Sequence, residues 1–134
     1  MIFLISAFLV LTQISELRDD PVTVRIYLVR KLDPGNCFGM PTVTPDRDID
    51  RTLSDHKGLA DRIKTEFKIN GRVAIYHKML QVQRIELSKG QDGYSFVVRD
   101  GKCCGITTYR GTVRVGSAAI ELNIESETKE AVPC

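Results

Sequence analysis

The chain has 134 residues, of which 43% are hydrophobic and 7% aromatic, and it contains no tryptophan. This length fits one domain, and the hydrophobic content is far above that of disordered chains. Nineteen basic residues against 17 acidic ones give a net charge of +2, which is too small for the strong positive field of a dedicated nucleic-acid-binding protein. We therefore predict no nucleic-acid partner.

The N-terminal segment Met1 to Ser15 carries no charged side chain, and its apolar residues would cover every face of a helix. It is shorter than the roughly 20 residues of a membrane span, but it matches the apolar part of a secretory signal peptide, typically about 7–15 residues. No Lys or Arg precedes the run, and Gln13 stands where a cleavage site prefers a small residue. The alternatives are a buried helix of the domain itself and a helix that packs against identical copies.

We interpret residues 1–20 as an export signal or a membrane or assembly anchor with a short charged neck, and residues 21–134 as a single domain. Residues 1–17 would make any contact with a membrane. The predicted location is extracytoplasmic, either secreted or membrane-anchored.

Residues 22–29 are expected to form the first strand, because Val22, Val24, Ile26 and Leu28 alternate with other residues at period two. The segment Asp33 to Asn36 is rich in turn-forming residues and is predicted to end it.

The clearest predicted helix starts at Thr44, a good N-cap, and stops at Asn70 and Gly71. Gly58 is its weak point, so the helix could instead begin near Ser54. Steps of three or four residues place one set of side chains on a common face: Ile49, Leu53, His56, Ala60, Ile63 and Phe67.

Arg72 to Leu87 is ambiguous, and we interpret it as a bulged strand or as one buried on both faces. Tyr94, Phe96 and Val98 alternate as in a strand, followed by a hairpin turn at Asp100 and Gly101. The later part of the chain is predicted to hold a strand over residues 107–115, a turn at Gly116 and Ser117, and a final strand with Ile120, Leu122 and Ile124 on one face.

This order predicts an α+β fold in which one main helix packs on an antiparallel sheet with meander topology, preceded by the N-terminal hydrophobic segment. A helix laid across such a sheet is the simplest way to bury both apolar faces.

The four cysteines, Cys37, Cys103, Cys104 and Cys134, are the disulfide candidates. An even number beside an export-like segment favours two disulfides, with three possible connectivities. If Cys103 and Cys104 lie in a strand, their side chains point to opposite faces, so one could reach Cys37 and the other Cys134. A bridge from Cys104 to Cys134 would stabilise the fold by roughly 3–4 kcal/mol.

Residues capable of catalysis or metal binding form no recognisable pattern. His56 lies on the apolar stripe of the helix and is interpreted as partly buried, and His77 lies in the ambiguous segment. Asp46, Asp48 and Asp50 alternate, but the residues that follow fail the calcium-loop pattern. We therefore predict no catalytic residues, no cofactor and no bound metal.

The loop around Cys37 is the most unusual in the chain, because Phe38 and Met40 are apolar in a turn-like stretch. Either they pack under the helix, or Asn36, Phe38 and Met40 form a contact loop for a partner.

These features favour a small exported or membrane-tethered, non-catalytic interaction domain with an unidentified protein partner. The first alternative is a pilin-type filament subunit that assembles through its N-terminal apolar helix. The second is a small enzyme of unknown chemistry, so an enzymatic activity is the less favoured prediction.

Overall fold

The computed structural model describes residues 17–35, 45–102 and 104–133, and the first sixteen residues lie outside this part. The helices in it are α1 (Pro21–Leu32), α2 (Asp46–Asp55), α3 (Lys57–Phe67) and α4 (Arg72–Gln83). The strands are β1 (Glu86–Lys89), β2 (Tyr94–Lys102), β3 (Gly105–Val115) and β4 (Ile120–Ala131).

Residues 21–32 form helix α1, so the predicted first strand is wrong. The Asp20 carboxylate caps the helix by accepting a hydrogen bond from the Thr23 N–H at 2.8 Å, and Pro21 suits the first turn because its missing N–H needs no partner. Most of the helix is buried, including Val24, Ile26 and Leu28. When apolar residues surround a helix, some of them also fit a period of two, and periodicity alone cannot separate helix from strand.

The predicted long helix consists of two helices that meet at His56, where the backbone departs from helical geometry (φ −120°, ψ 45°). Ile49, Ala60 and Ile63 are buried, as predicted for the apolar stripe. His56 itself is exposed, so its predicted partial burial is wrong. His56 lies at the junction of the two helices and outside the core.

Residues 72–83 form helix α4, so the predicted bulged strand is also wrong. The buried residues are Ile75, Met79 and Val82, which recur at helical steps of four and three. Val73, which shares the strand phase of Ile75, is 45% exposed. Burial therefore follows the helical period and not a period of two.

The four strands form one antiparallel sheet in the order β1-β2-β3-β4. Tyr94, Phe96 and Val98 are buried on one face of β2, as predicted. The predicted turn at Asp100 and Gly101 is wrong, because β2 continues to Lys102, which pairs with Gly105. The reversal therefore falls between Lys102 and Gly105, and Cys104 lies in it.

The turn before the final strand lies one residue later than predicted. The Gly116 N–H donates to the Ala119 carbonyl oxygen at 2.8 Å, which makes Ser117 and Ala118 its central residues. In β4 the burial predicted for one face fades along the strand, since Ile120 is buried whereas Ile124 is 42% exposed.

The helices pack on one face of the sheet and share a single hydrophobic core with it. This arrangement confirms the α+β class and the antiparallel meander. The described residues contain four helices where one main helix was predicted. In the same part of the chain, no helix has the length and apolar character needed to cross a membrane.

Candidate functional site

The face of the sheet that points away from the core is a broad polar surface built by β2, β3 and β4. Strand alternation explains it, because every second side chain of a half-buried strand points away from the core. The strand register brings these side chains together across the sheet. We call this surface the open face; it comprises Ser95, Val97, Arg99, Ile106, Thr108, Arg110, Thr112, Arg114, Glu121, Asn123, Ser126, Thr128 and Glu130.

A groove of about 470 Å³ lies at one end of the open face. Ser95, Thr112 and Asn123 line it, and the register places them side by side on neighbouring strands. Two hydroxyl groups and one amide therefore form a row that can donate and accept hydrogen bonds.

The turn between β1 and β2 closes one side of the groove, which Gly90 and Gly93 both line. Gly93 has φ +150°, and a Cβ atom there would overlap the Val113 carbonyl oxygen. Glycine is therefore required for the turn to lie against β3.

Three arginines of the open face differ in their ionic partners. Arg114 donates from Nε and Nη2 to the same Glu121 carboxylate oxygen, at 3.1 and 2.6 Å. Arg99 and Arg110 are exposed and form neither an ion pair nor a side-chain hydrogen bond with the described residues. These two arginines therefore carry positive charge that no ion pair with the described residues neutralises.

A second polar cluster lies on the core side of the sheet, near the β2–β3 turn. Burial raises the pKa of Tyr109, the neighbouring carboxylates of Glu127 and Asp100 raise it further, and Lys102 opposes them. A raised pKa keeps the Tyr109 phenol protonated at neutral pH, so it is not a base there.

Asp100 connects this cluster to the segment after α1. Its buried carboxylate accepts a hydrogen bond from the Gly35 N–H at 2.8 Å, and the Gly101 N–H donates to the Gly35 carbonyl oxygen at 2.9 Å. A Cβ atom on Gly35 would lie 2.8 Å from the Gly101 oxygen. These contacts hold Gly35 at the end of the sheet; the candidate contact residues Asn36, Phe38 and Met40 lie outside the described residues.

Cys104 lies in the β2–β3 turn with φ +71° and not in a strand. Its carbonyl oxygen accepts a hydrogen bond from the Val132 N–H at 3.2 Å, and its sulfur is not a free thiol. Cys37, Cys103 and Cys134 lie outside the described residues. The number and connectivity of the disulfides therefore stay predictions.

The residues weighed for catalysis and metal binding have separate surface positions. His56 lies between α2 and α3, and His77 is exposed on α4 with its ring against Tyr76. Asp46 and Asp50 form ion pairs with Arg72, at 3.1 and 3.0 Å, which link α2 to α4. Within the described ranges, no group of three His, Cys, Asp or Glu residues is arranged to hold a metal ion.

Sequence reasoning missed the two unpaired arginines. The predicted phase of Tyr94, Phe96 and Val98 already implies that Arg99 points away from the core. Arg110, however, becomes its neighbour only through the register of β2 with β3, and that register depends on the true position of the turn.

Comparison with known proteins adds no relatives: no family model, no curated protein and no solved structure matches this chain.

Proposed function

We propose that this chain is an exported or membrane-tethered, non-catalytic interaction domain that binds a protein partner through the open face. The main observation behind this proposal is that the two faces of the sheet differ. Helices cover one face. Among the described residues, the other face is polar and has a groove and two arginines without ion pairs. Such a rigid surface with exposed donors can bind a partner without any change in the core.

The positions of the acid–base residues support a binding role over an enzymatic one. General acid–base catalysis needs groups within hydrogen-bond reach of one reacting atom. His56 and His77 lie on different elements of the helical layer, and neither lines the groove.

Site-specific photocrosslinking tests the binding surface. A photoreactive amino acid would replace Thr112, which is exposed in the groove, and in a matched control Asp55, which is exposed on the helical layer. After irradiation in the native envelope or medium, we expect a discrete protein adduct from position 112 and none from position 55. An adduct from position 55 alone, or from neither position, would contradict the proposal.

The export and disulfide parts of the proposal draw support from the N-terminal apolar run and from the Cys104 turn, where the hydrogen bond from Val132 brings the C-terminal segment beside Cys104. An intact mass of native protein, with free thiols alkylated before reduction, tests both parts. We expect no alkylated thiol, and a mass either lacking roughly the first fifteen residues or consistent with a retained anchor in the membrane fraction. Four alkylated thiols on unprocessed protein outside any membrane fraction would overturn both.

A further inference from the structure

We propose that the open face binds an extended acidic segment of a partner protein, with Arg99 and Arg110 each binding one of two carboxylates spaced two residues apart. This inference rests on the proposed function and names the chemistry of the partner.

The register makes neighbours of the two arginines. Arg99 in β2 pairs with Thr108 in β3, and Arg110 in β3 pairs with Val97 in β2. Arg99 and Arg110 are therefore diagonal neighbours on the same face, a relation that places residues about 7–8 Å apart.

This spacing suits an extended peptide. Residues i and i+2 of a strand point to the same side and are about 7 Å apart, so two alternate Asp or Glu side chains match the two guanidinium groups. Arginine also presents a planar fork of donors that fits a carboxylate in a bidentate manner.

The positive charge of the two arginines favours an acidic ligand. The rows of the open face that hold Arg99 and Arg110 supply hydroxyl groups from Thr108, Ser126 and Thr128. The next row on one side supplies Thr112 and Asn123, whereas the next row on the other side ends at Glu130, which pairs with Ile106. The Glu121 carboxylate is bonded to Arg114. Glu86 in β1 pairs with Val97, which makes it diagonal to Arg99, and the two form no ion pair. A basic or neutral segment would leave both arginines without a counter-charge.

The adjacent groove can hold the backbone of the same segment. Ser95, Thr112 and Asn123 form the next row of the sheet beyond Val97, Arg110 and Ser126. Their hydrogen-bonding groups are available to peptide N–H and C=O groups of any sequence, so the arginines would provide the preference for acidic residues.

Fluorescence anisotropy with the whole 134-residue chain tests the proposal. The probe is a labelled ten-residue peptide of alternating Glu and Thr; the comparison peptides are alternating Lys and Thr, and a peptide of the same Glu and Thr content with its glutamates consecutive. We expect saturable binding of the alternating Glu peptide, weaker binding of the consecutive one and none of the Lys peptide. No binding of the alternating Glu peptide, or equal binding of all three, would overturn the proposal.

Variants then assign the binding to the two arginines. Arg99→Gln with Arg110→Gln should weaken binding of the alternating Glu peptide about fivefold to thirtyfold, since two exposed ion pairs of about 0.5–1 kcal/mol each are lost. Arg47→Gln is the matched control, because Arg47 is an exposed arginine on α2, and it should leave binding unchanged. Equal weakening by Arg47→Gln, or no weakening by the double variant, would show that the overall charge and not this pair binds the peptide.

Thermal unfolding of the double variant checks that its fold is intact, and both substituted side chains are exposed. A single-stranded oligonucleotide that binds more tightly than the peptide and is lost in the double variant would overturn the assignment to an acidic protein segment. If crosslinking from position 112 succeeds while the acidic peptide fails to bind, only this inference falls and the proposed binding surface stands.

Discussion

The hydroxyl of Tyr94 is the one buried side-chain polar atom among the described residues without a hydrogen-bond partner. Burial is the first cause of the raised pKa of this phenol, hydrogen bonding of its hydroxyl toward the Asp19 carboxylate is the second, and the charges of Asp19 and Asp20 raise it further. Asp19 is thus close enough to act on the charge of the phenol, although the pair does not meet hydrogen-bond geometry.

Replacing Tyr94 by Phe tests this unsatisfied hydroxyl. An unpaired buried polar group costs about 1–3 kcal/mol, so Tyr94→Phe should raise the free energy of unfolding by about 1 kcal/mol. Urea denaturation measures the change, with Tyr76→Phe, at a more accessible position, as the control. A loss of stability in Tyr94→Phe would mean that the hydroxyl does have a partner.

Asp100 is a second residue whose structural role can be measured. Asp100→Ala removes the acceptor of the Gly35 N–H and should lower the free energy of unfolding by about 2 kcal/mol. Asp100→Asn keeps an acceptor oxygen and should lose less. Asp55→Ala, at an exposed site, should change stability by less than about 0.5 kcal/mol; equal losses at positions 55 and 100 would refute the role of the contact.

At the scale of the secondary-structure element, alanine substitutions at Gly58 and Gly111 are predicted to change the stability in opposite directions. Gly58 lies in the first turn of α3, and a Cβ atom there would meet nothing within 4 Å. Gly58→Ala should therefore stabilise the protein by about 0.5–1 kcal/mol, because alanine loses less backbone entropy in a helix.

Gly111 lies at the irregularity in the pairing of β3 with β4, and a Cβ atom there would overlap the Asn123 carbonyl oxygen. Gly111→Ala should lower the free energy of unfolding by about 2 kcal/mol or more. Thermal unfolding of each variant, compared with that of the parent protein, measures both changes in stability. Similar melting shifts in the two would contradict the different surroundings of these glycines.

At the scale of the whole molecule, the raised pKa values of three tyrosines predict how the folding stability changes at alkaline pH. Burial is the first cause of the raised pKa of Tyr27, Tyr94 and Tyr109 above the ordinary 10.0. The folded state therefore holds these protons more tightly than the unfolded state. The resulting stability is fully present below about pH 10 and is lost as pH rises through the higher folded pKa values.

Urea midpoints measured between pH 8 and pH 11.5, with tyrosinate absorbance as a second readout, test this expectation. The midpoint should be steady up to about pH 10 and then fall as the absorbance rises. Tyr94→Phe should make the fall shallower. A midpoint that stays constant through tyrosine ionisation would contradict the raised pKa values.

How far the sequence predicts this molecule depends on whether an element has one buried face or several. The alternation of Tyr94, Phe96 and Val98 placed β2 correctly, because a half-buried strand repeats its burial every two residues. The stripe of Ile49, Ala60 and Ile63 was correct for the corresponding reason in a helix. The candidate contact loop and the cysteine pairing lie beyond what the described structure tests.

The sequence by itself determined the α+β class, the phase of β2 and the apolar side of α2 and α3, because local periodicity encodes which side of an element is buried. Only the tertiary structure decided that residues 21–32 form a helix, because burial on nearly every side removes the periodic signal. It also decided that Arg99 and Arg110 are neighbours, since that depends on where β2 reverses into β3. Pairing between strands is a non-local property, and a single residue of slip would move either side chain to the other face.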